Sequence, residues 1–192
     1  MQPDNTKNEL YTKLIEGCLK QNRDAQYRLY NLLAGKMFGV CMRYAHNREV
    51  AEDLLQEGFV KVFSNISKFR GDGSFEGWVR RIMVNTAVEN YRKTNKMYPI
   101  LNMDTVDLQT EWEAPSTELE LEDLVHMIQQ LSPGYRTVFN LYVVEGYSHK
   151  EIADMLHISE GTSKSQLARA RYYLMDMVER SGLVKKPAIV AR

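Results

Sequence analysis

The chain of 192 residues carries 25 Lys and Arg against 25 Asp and Glu, and 44% of it is hydrophobic, enough for one ordinary core or two small ones. A uniformly basic nucleic-acid coat is excluded, but the zero net charge hides segregation. No basic residue lies between Lys96 and Arg136, whereas Asp104, Asp107, Glu111, Glu113, Glu118, Glu120, Glu122 and Asp123 all do, so both flanks are net basic.

Residues 1 to 8 read as polar and loose, followed by an amphipathic helix on Leu10, Leu14, Ile15, Cys18 and Leu19 that ends before Asn22. Asp24 is a cap candidate for a long second helix, with Ala25, Leu29, Leu32, Leu33, Met37, Val40, Cys41 and Tyr44 on one stripe. Asn47 is placed to cap a third helix, whose Ala51, Leu54, Leu55, Phe59, Val62, Phe63 and Ile66 face inward. Glu52, Asp53, Gln56, Glu57 and Lys61 remain as a polar face suited to a partner. The loop SKFRGDGSFEGW holds three glycines between aromatics and ends with Ser74 as the cap of a fourth helix. Phe75, Trp78, Val79, Ile82, Met83 and Ala87 bury that helix, leaving Arg80, Arg81, Asn85, Glu89, Arg92 and Lys93 polar. Basic and amide groups beside aromatics suit single-stranded nucleic acid, and a solvated helix face explains them equally well.

From Tyr98 to Thr117 there is no hydrophobic period, only scattered apolar residues, Pro99, Pro115 and acids, which reads as a linker. Leu121, Leu124, Val125, Ile128 and Leu131 begin a second helical set. Pro133-Gly134 breaks it, and Val138, Phe139, Tyr142 and Val143 form another amphipathic helix. Ser148 and Glu151 have the spacing of a capping box opening a short helix on Ile152, Ala153 and Leu156. His157 falls where the following turn needs a positive φ, and Ser159 caps a last helix from Glu160. Two short helices at this spacing form a helix-turn-helix. The last helix carries Leu167, Ala170, Tyr173 and Leu174 on one stripe, with Thr162, Lys164, Ser165, Gln166, Arg169 and Arg171 expected on an outer, DNA-reading face. The tail after Gly182 is short and reads as frayed.

With no alternating strand pattern, the expected fold is all-α: two small helical domains, residues 1–96 and 120–192, joined by an acidic linker, 97–119, with the helix-turn-helix at the C-terminal end. Cys18 and Cys41 sit at apolar helical positions without ligand spacing, and the four histidines are remote from any nucleophile pattern. Neither catalysis, a metal nor a cofactor is expected. The N-terminus lacks a basic-then-apolar leader and no apolar run has the length of a membrane span, so a cytoplasmic protein is expected.

Three segments in this order, AEDLLQEGFVKVF, FRGDGSFEGWVRRIMVNTAVENYRK and YSHKEIADMLHISEGTSKSQLARAR, resemble those of the extracytoplasmic-function sigma factors of bacterial RNA polymerase. The resemblance spans about residues 10 to 178. It implies that the N-terminal domain corresponds to sigma region 2, binding the polymerase clamp and the minus-ten element. The C-terminal domain corresponds to region 4, binding the polymerase flap and the minus-thirty-five element. It further implies that Asp53, Leu54, Gln56 and Glu57 dock on core polymerase and that Lys68 to Ser74, including Arg70, capture a base. Arg80, Arg81, Asn85 and Arg92 would contact the strand, the linker would thread polymerase, and an anti-sigma factor would be a partner. Ser163 departs from the family, which usually has an apolar residue there, and Gln166 stands where a basic one is common; a bond from Ser163 to the preceding helical turn would keep its cost modest. A helix-turn-helix regulator that is not a polymerase subunit is the other reading, with a protein-interaction bundle behind it.

Overall fold

The computed structural model describes residues 5–97 and 121–181; among them there are helices, turns and bends and no strand. The expected linker, apart from Met97, and the C-terminal tail lie outside the described residues. The chain divides into two compact units, the first ending at Asn90 and the second starting at Tyr91.

The first unit opens with α1, Asn5–Leu19, which starts ahead of the apolar pattern. Its buried stripe is Tyr11, Leu14 and Cys18; Leu10 and Leu19, expected inward, are exposed because they flank that stripe. The helix closes through left-handed Gln21, with the Asn22 N–H donating to the Gly17 carbonyl at 3.0 Å. Asn22, rather than Asp24, caps α2, Arg23–Tyr44: its side chain accepts from the Ala25 N–H at 3.1 Å. Asn47 caps α3, Arg48–Asn65, accepting from the Val50 N–H at 2.9 Å.

The core between these helices holds Leu29, Leu33, Met37 and Val40 against Ala51, Leu55, Phe59 and Val62, while Leu32 lies in solvent. A 3-10 turn, Ile66–Lys68, leads to α4, Phe75–Met97, which buries Phe75, Val79, Met83, Val84 and Ala87. Cys18 and Cys41 are free and buried, and burial pushes the Cys41 thiol up to about 12, so it stays protonated and unreactive.

In the second unit α5, Leu121–Gln130, precedes α6, Pro133–Phe139, which has proline in its first turn. The amphipathic helix expected to run through Val143 instead widens into a π-helical segment, Asn140–Val144. That winding delays the backbone's return by one residue per turn, and Val143 and Val144 end up exposed. The capping box is formed as expected at α7, His149–Leu156: the Ser148 hydroxyl accepts from the Glu151 N–H, and the Glu151 carboxylate accepts from the Ser148 N–H at 2.8 Å. His157 takes the left-handed conformation, φ 56°, and α8, Glu160–Ser181, follows. Leu131, Val138, Leu141, Ile152, Leu156, Leu167, Ala170 and Leu174 form the core. Among the described residues, no helix is long and apolar enough to cross a membrane.

Candidate nucleic-acid and partner surfaces

The loop between the 3-10 turn and α4 bends through Gly71, φ 80°, and Gly73, φ 133°, conformations that a side chain makes costly. It ends where the Ser74 hydroxyl accepts from the Gly77 N–H at 3.0 Å, capping α4. The bend encloses a depression of ≈ 390 Å³ lined by Lys68, Phe69, Arg70, Asp72, Gly73, Ser74, Gly77, Trp78 and Arg81. Its wall is a packed aromatic set: Phe69 meets Phe75 edge-on at 5.1 Å, and Phe75 stacks on Trp78 at 5.6 Å. Three of the expected DNA-binding cations, Lys68 and Arg70 of the base-capturing loop and Arg81 of the strand-contacting helix, therefore line one concave surface with aromatic rings. Asp72, not anticipated as part of the lining, puts an acid among them. Arg80 is half-buried and is not among the lining residues, and Asn85 is exposed one turn past Arg81. Arg92 lies beyond Asn90, where the first unit ends, and is not among the lining residues.

On α3, Asp53 and Gln56 are exposed and Glu57 is half-exposed, as the polar-face reading requires. Leu54 is not available to a partner: it is 3% exposed and packs inward, as its helical phase dictates. The Lys61 ammonium lies 2.8 Å from Glu57 and 2.8 Å from Glu89 of α4, and donates to the Thr86 hydroxyl at 3.2 Å. Burial disfavours its charge, but the Glu57 and Glu89 carboxylates outweigh that and hold its pKa above the ordinary lysine value. Val60, absent from the expected site, shares this face and is 66% exposed; one isolated apolar residue in a polar helix face gave no signal in the sequence.

On α8 the expected outer face separates into three groups. Lys164 and Ser165 are exposed and Thr162 is half-buried, its N–H donating to the capping Ser159 hydroxyl at 2.9 Å. Arg169 and Arg171 are half-buried and engaged within the unit: Arg169 donates to the Tyr135 hydroxyl at 3.1 Å, and the Arg171 guanidinium lies over the Tyr142 ring at 5.9 Å. Gln166, expected to read bases, is 4% exposed. It lies three residues after buried Ser163 and four before buried Ala170, so helical phase turns it inward whatever its polarity. Its amide packs so closely on Gly134 that a Cβ there would come 3.2 Å from Nε2. Fully buried Ser163 pairs with His149, hydroxyl to Nδ1 at 2.9 Å, rather than with the preceding helical turn. The His149 ring stacks on Tyr142 at 4.5 Å. Desolvation, then the Lys164 and Arg171 cations, hold its pKa below the ordinary histidine value.

Residues 29–97 match the family model described as Sigma-70 region 2, and residues 121–174 match Sigma-70, region 4. The chain is 32% identical over 148 residues to the RNA polymerase sigma-H factor of Pseudomonas aeruginosa, covering 71% of this chain and 77% of that one. It is 29% identical over 179 residues to the ECF RNA polymerase sigma-E factor of Haemophilus influenzae, covering 86% and 94%. A solved structure of the sigma factor RpoE with the anti-sigma factor NepR from Bartonella quintana aligns at a TM-score of 0.48 and 21% identity, over 80% of this chain and 96% of that one. With both regions matched in order, the chain belongs to the sigma-70 family of RNA polymerase sigma factors, in its extracytoplasmic-function branch.

Proposed function

We propose that this chain, as the promoter-recognition subunit of RNA polymerase, opens the minus-ten element with the depression before α4 and reads the minus-thirty-five element with the exposed part of α8. The observation that carries this reading is the depression itself. Opening a duplex and holding a base outside it costs a few kcal/mol of stacking and pairing, so a surface that melts DNA must offer the freed base a replacement. Phe69 and Trp78 supply ring faces, Gly73 and Gly77 let a base approach the backbone, and Lys68, Arg70 and Arg81 supply positive charge for the adjoining phosphates. On α8, Lys164 and Ser165 are the side chains with free access to duplex DNA, with Arg169 and Arg171 held beside them. Core polymerase is met by Asp53, Gln56 and Glu57 on α3, whose other face is committed to packing.

The assignment runs by segment: 1–96 to polymerase and the minus-ten element, 97–119 to the connecting path through polymerase, and 120–192 to the minus-thirty-five element. An anti-sigma factor is the expected inhibitor, and the cytoplasm the site of action. Reconstitution tests the reading. Purified core polymerase with this chain as its sole sigma subunit is expected to start transcripts at defined promoters. Core affinity should fall about tenfold for the Asp53→Lys, Gln56→Ala pair with helicity unchanged. A requirement for a second sigma subunit would leave the chain a helix-turn-helix regulator instead.

A further inference from the structure

We propose that Tyr11 of α1 is a positioning residue for the base-holding depression, acting through the first turn of α4. The proposal rests on the reading of that depression as a base site. Tyr11 does not line the depression and is only 6% exposed. It reaches the site by two routes that meet on consecutive residues. Its ring packs on Phe75 with centroids 5.6 Å apart, and Phe75 is the residue that stacks on Trp78 and meets Phe69 edge-on. Its hydroxyl bonds to the carboxylate of Glu76. Glu76 in turn accepts from Lys36 of α2 at 2.8 Å, so the start of α4 is held by α1 and α2.

The loop needs such support because its own backbone is poor at holding a shape. Gly71 and Gly73 give it the bend but also the widest conformational freedom of any residue. A pocket that must order itself at the moment of binding loses affinity to that ordering, so the rigid wall has to come from elsewhere. The aromatic set is that wall, and Tyr11, like Phe75, is buried and stands behind the residues that line the depression. The Lys36–Glu76 pair contributes less, since Lys36 is mostly exposed and its attraction is screened. Burial, then the nearby Glu76 charge, push the Tyr11 phenol above its ordinary pKa, so the hydroxyl remains a donor across the working pH range.

The test uses full-length chain with core polymerase and a duplex promoter carrying a fluorescent adenine analogue along the non-template minus-ten strand. Four proteins are compared: unaltered, Tyr11→Leu, Tyr11→Phe and Trp78→Ala. Tyr11→Leu should lower the unstacking signal about tenfold while core affinity and upstream-element binding stay unchanged. Tyr11→Phe, which keeps the ring but not the hydroxyl, should recover the signal to within about two- to fivefold of the unaltered protein. A pre-opened template should restore much of the loss, since the depression then no longer has to compete with the duplex. If Trp78→Ala abolishes the signal and Tyr11→Leu leaves it intact, the depression holds a base and Tyr11 is only a core residue. If Trp78→Ala leaves the signal intact, the base-site reading fails and the proposal fails with it. If Tyr11→Leu loses helicity, Tyr11→Phe decides, because it breaks only the hydroxyl–carboxylate bond and leaves the Lys36–Glu76 pair in place: a loss of about two- to fivefold supports the proposal, and no loss overturns it.

Discussion

On α8, Lys164 reaches solvent and Gln166 does not, so substitutions at the two should differ in kind. Lys164→Ala is expected to weaken binding similarly across promoter sequences and to reduce the salt slope by about one, as loss of a single phosphate contact does. Gln166→Leu should leave base preference unchanged and stabilise the second unit by about 1 kcal/mol, because the Gln166 carbonyl oxygen is buried without a hydrogen-bond partner. A shifted base preference in a randomised minus-thirty-five library would show that Gln166 leaves its packed position on DNA. His149 supplies a pH test. Its folded pKa lies below the ordinary 6.5, so the unfolded chain takes up the proton first as pH falls. The stabilisation is therefore complete above about pH 6.5 and is lost as pH falls through the folded pKa. Urea midpoints measured from about pH 7.5 to about pH 5.5 should decline more steeply for the unaltered chain than for His149→Gln. Parallel curves would remove His149 as the source.

The helices of the first unit meet at distances that two glycines report in opposite ways. A Cβ on Gly17 of α1 would lie 2.5 Å from the Ala25 Cβ of α2, a rigid neighbour, whereas one on Gly39 of α2 meets nothing within 4 Å. Alanine favours helix over glycine by about 1 kcal/mol at either site, and only at Gly17 does packing oppose it. Gly17→Ala is therefore expected to destabilise by about 1 to 3 kcal/mol and Gly39→Ala to stabilise by up to about 1 kcal/mol, read from denaturant unfolding. If both stabilise, α1 and α2 are able to separate without loss. The same helices explain what sequence periodicity located and what it missed. Stripes such as Leu29, Leu33, Met37 and Val40 are legible because burial selects one phase of the helix. Leu10, Leu19 and Leu32 are exposed at the flanks of the buried stripes, and how wide a stripe the neighbouring helix covers is not encoded in the periodicity. The π-helical turn at Asn140–Val144 likewise has no local marker such as proline or glycine.

Across the whole molecule, charge is distributed so that an acid-rich stretch offsets two net basic flanks. Converting Asp104, Asp107, Glu111 and Glu113 to their amides removes four negative charges from a chain of formal net charge +0. Retention on nonspecific duplex DNA should then rise at low salt and fade above about 0.15 M, where the screening length is about 8 Å. Promoter-specific affinity should change less, and salt-dependent filter binding measures both. An unchanged nonspecific affinity would mean that these carboxylates do not act on duplex DNA through the shared field.

The sequence by itself determined the all-helical class, the cap residues Asn47, Ser74 and Ser148, the left-handed turn at His157 and the family, because each depends on short-range spacing or on the order of motifs. It also located the loop with Lys68 and Arg70, whose glycines mark a bend in any fold. Only the tertiary structure decided which polar side chains are available. Gln166 is buried, Glu57 is engaged by Lys61, and Arg169 and Arg171 are held by Tyr135 and Tyr142. It alone joined Tyr11, some sixty residues away in the chain, to the wall of the depression. The physical reason is that accessibility and long-range contact arise from how helices are set against one another, and that arrangement has no period along the chain.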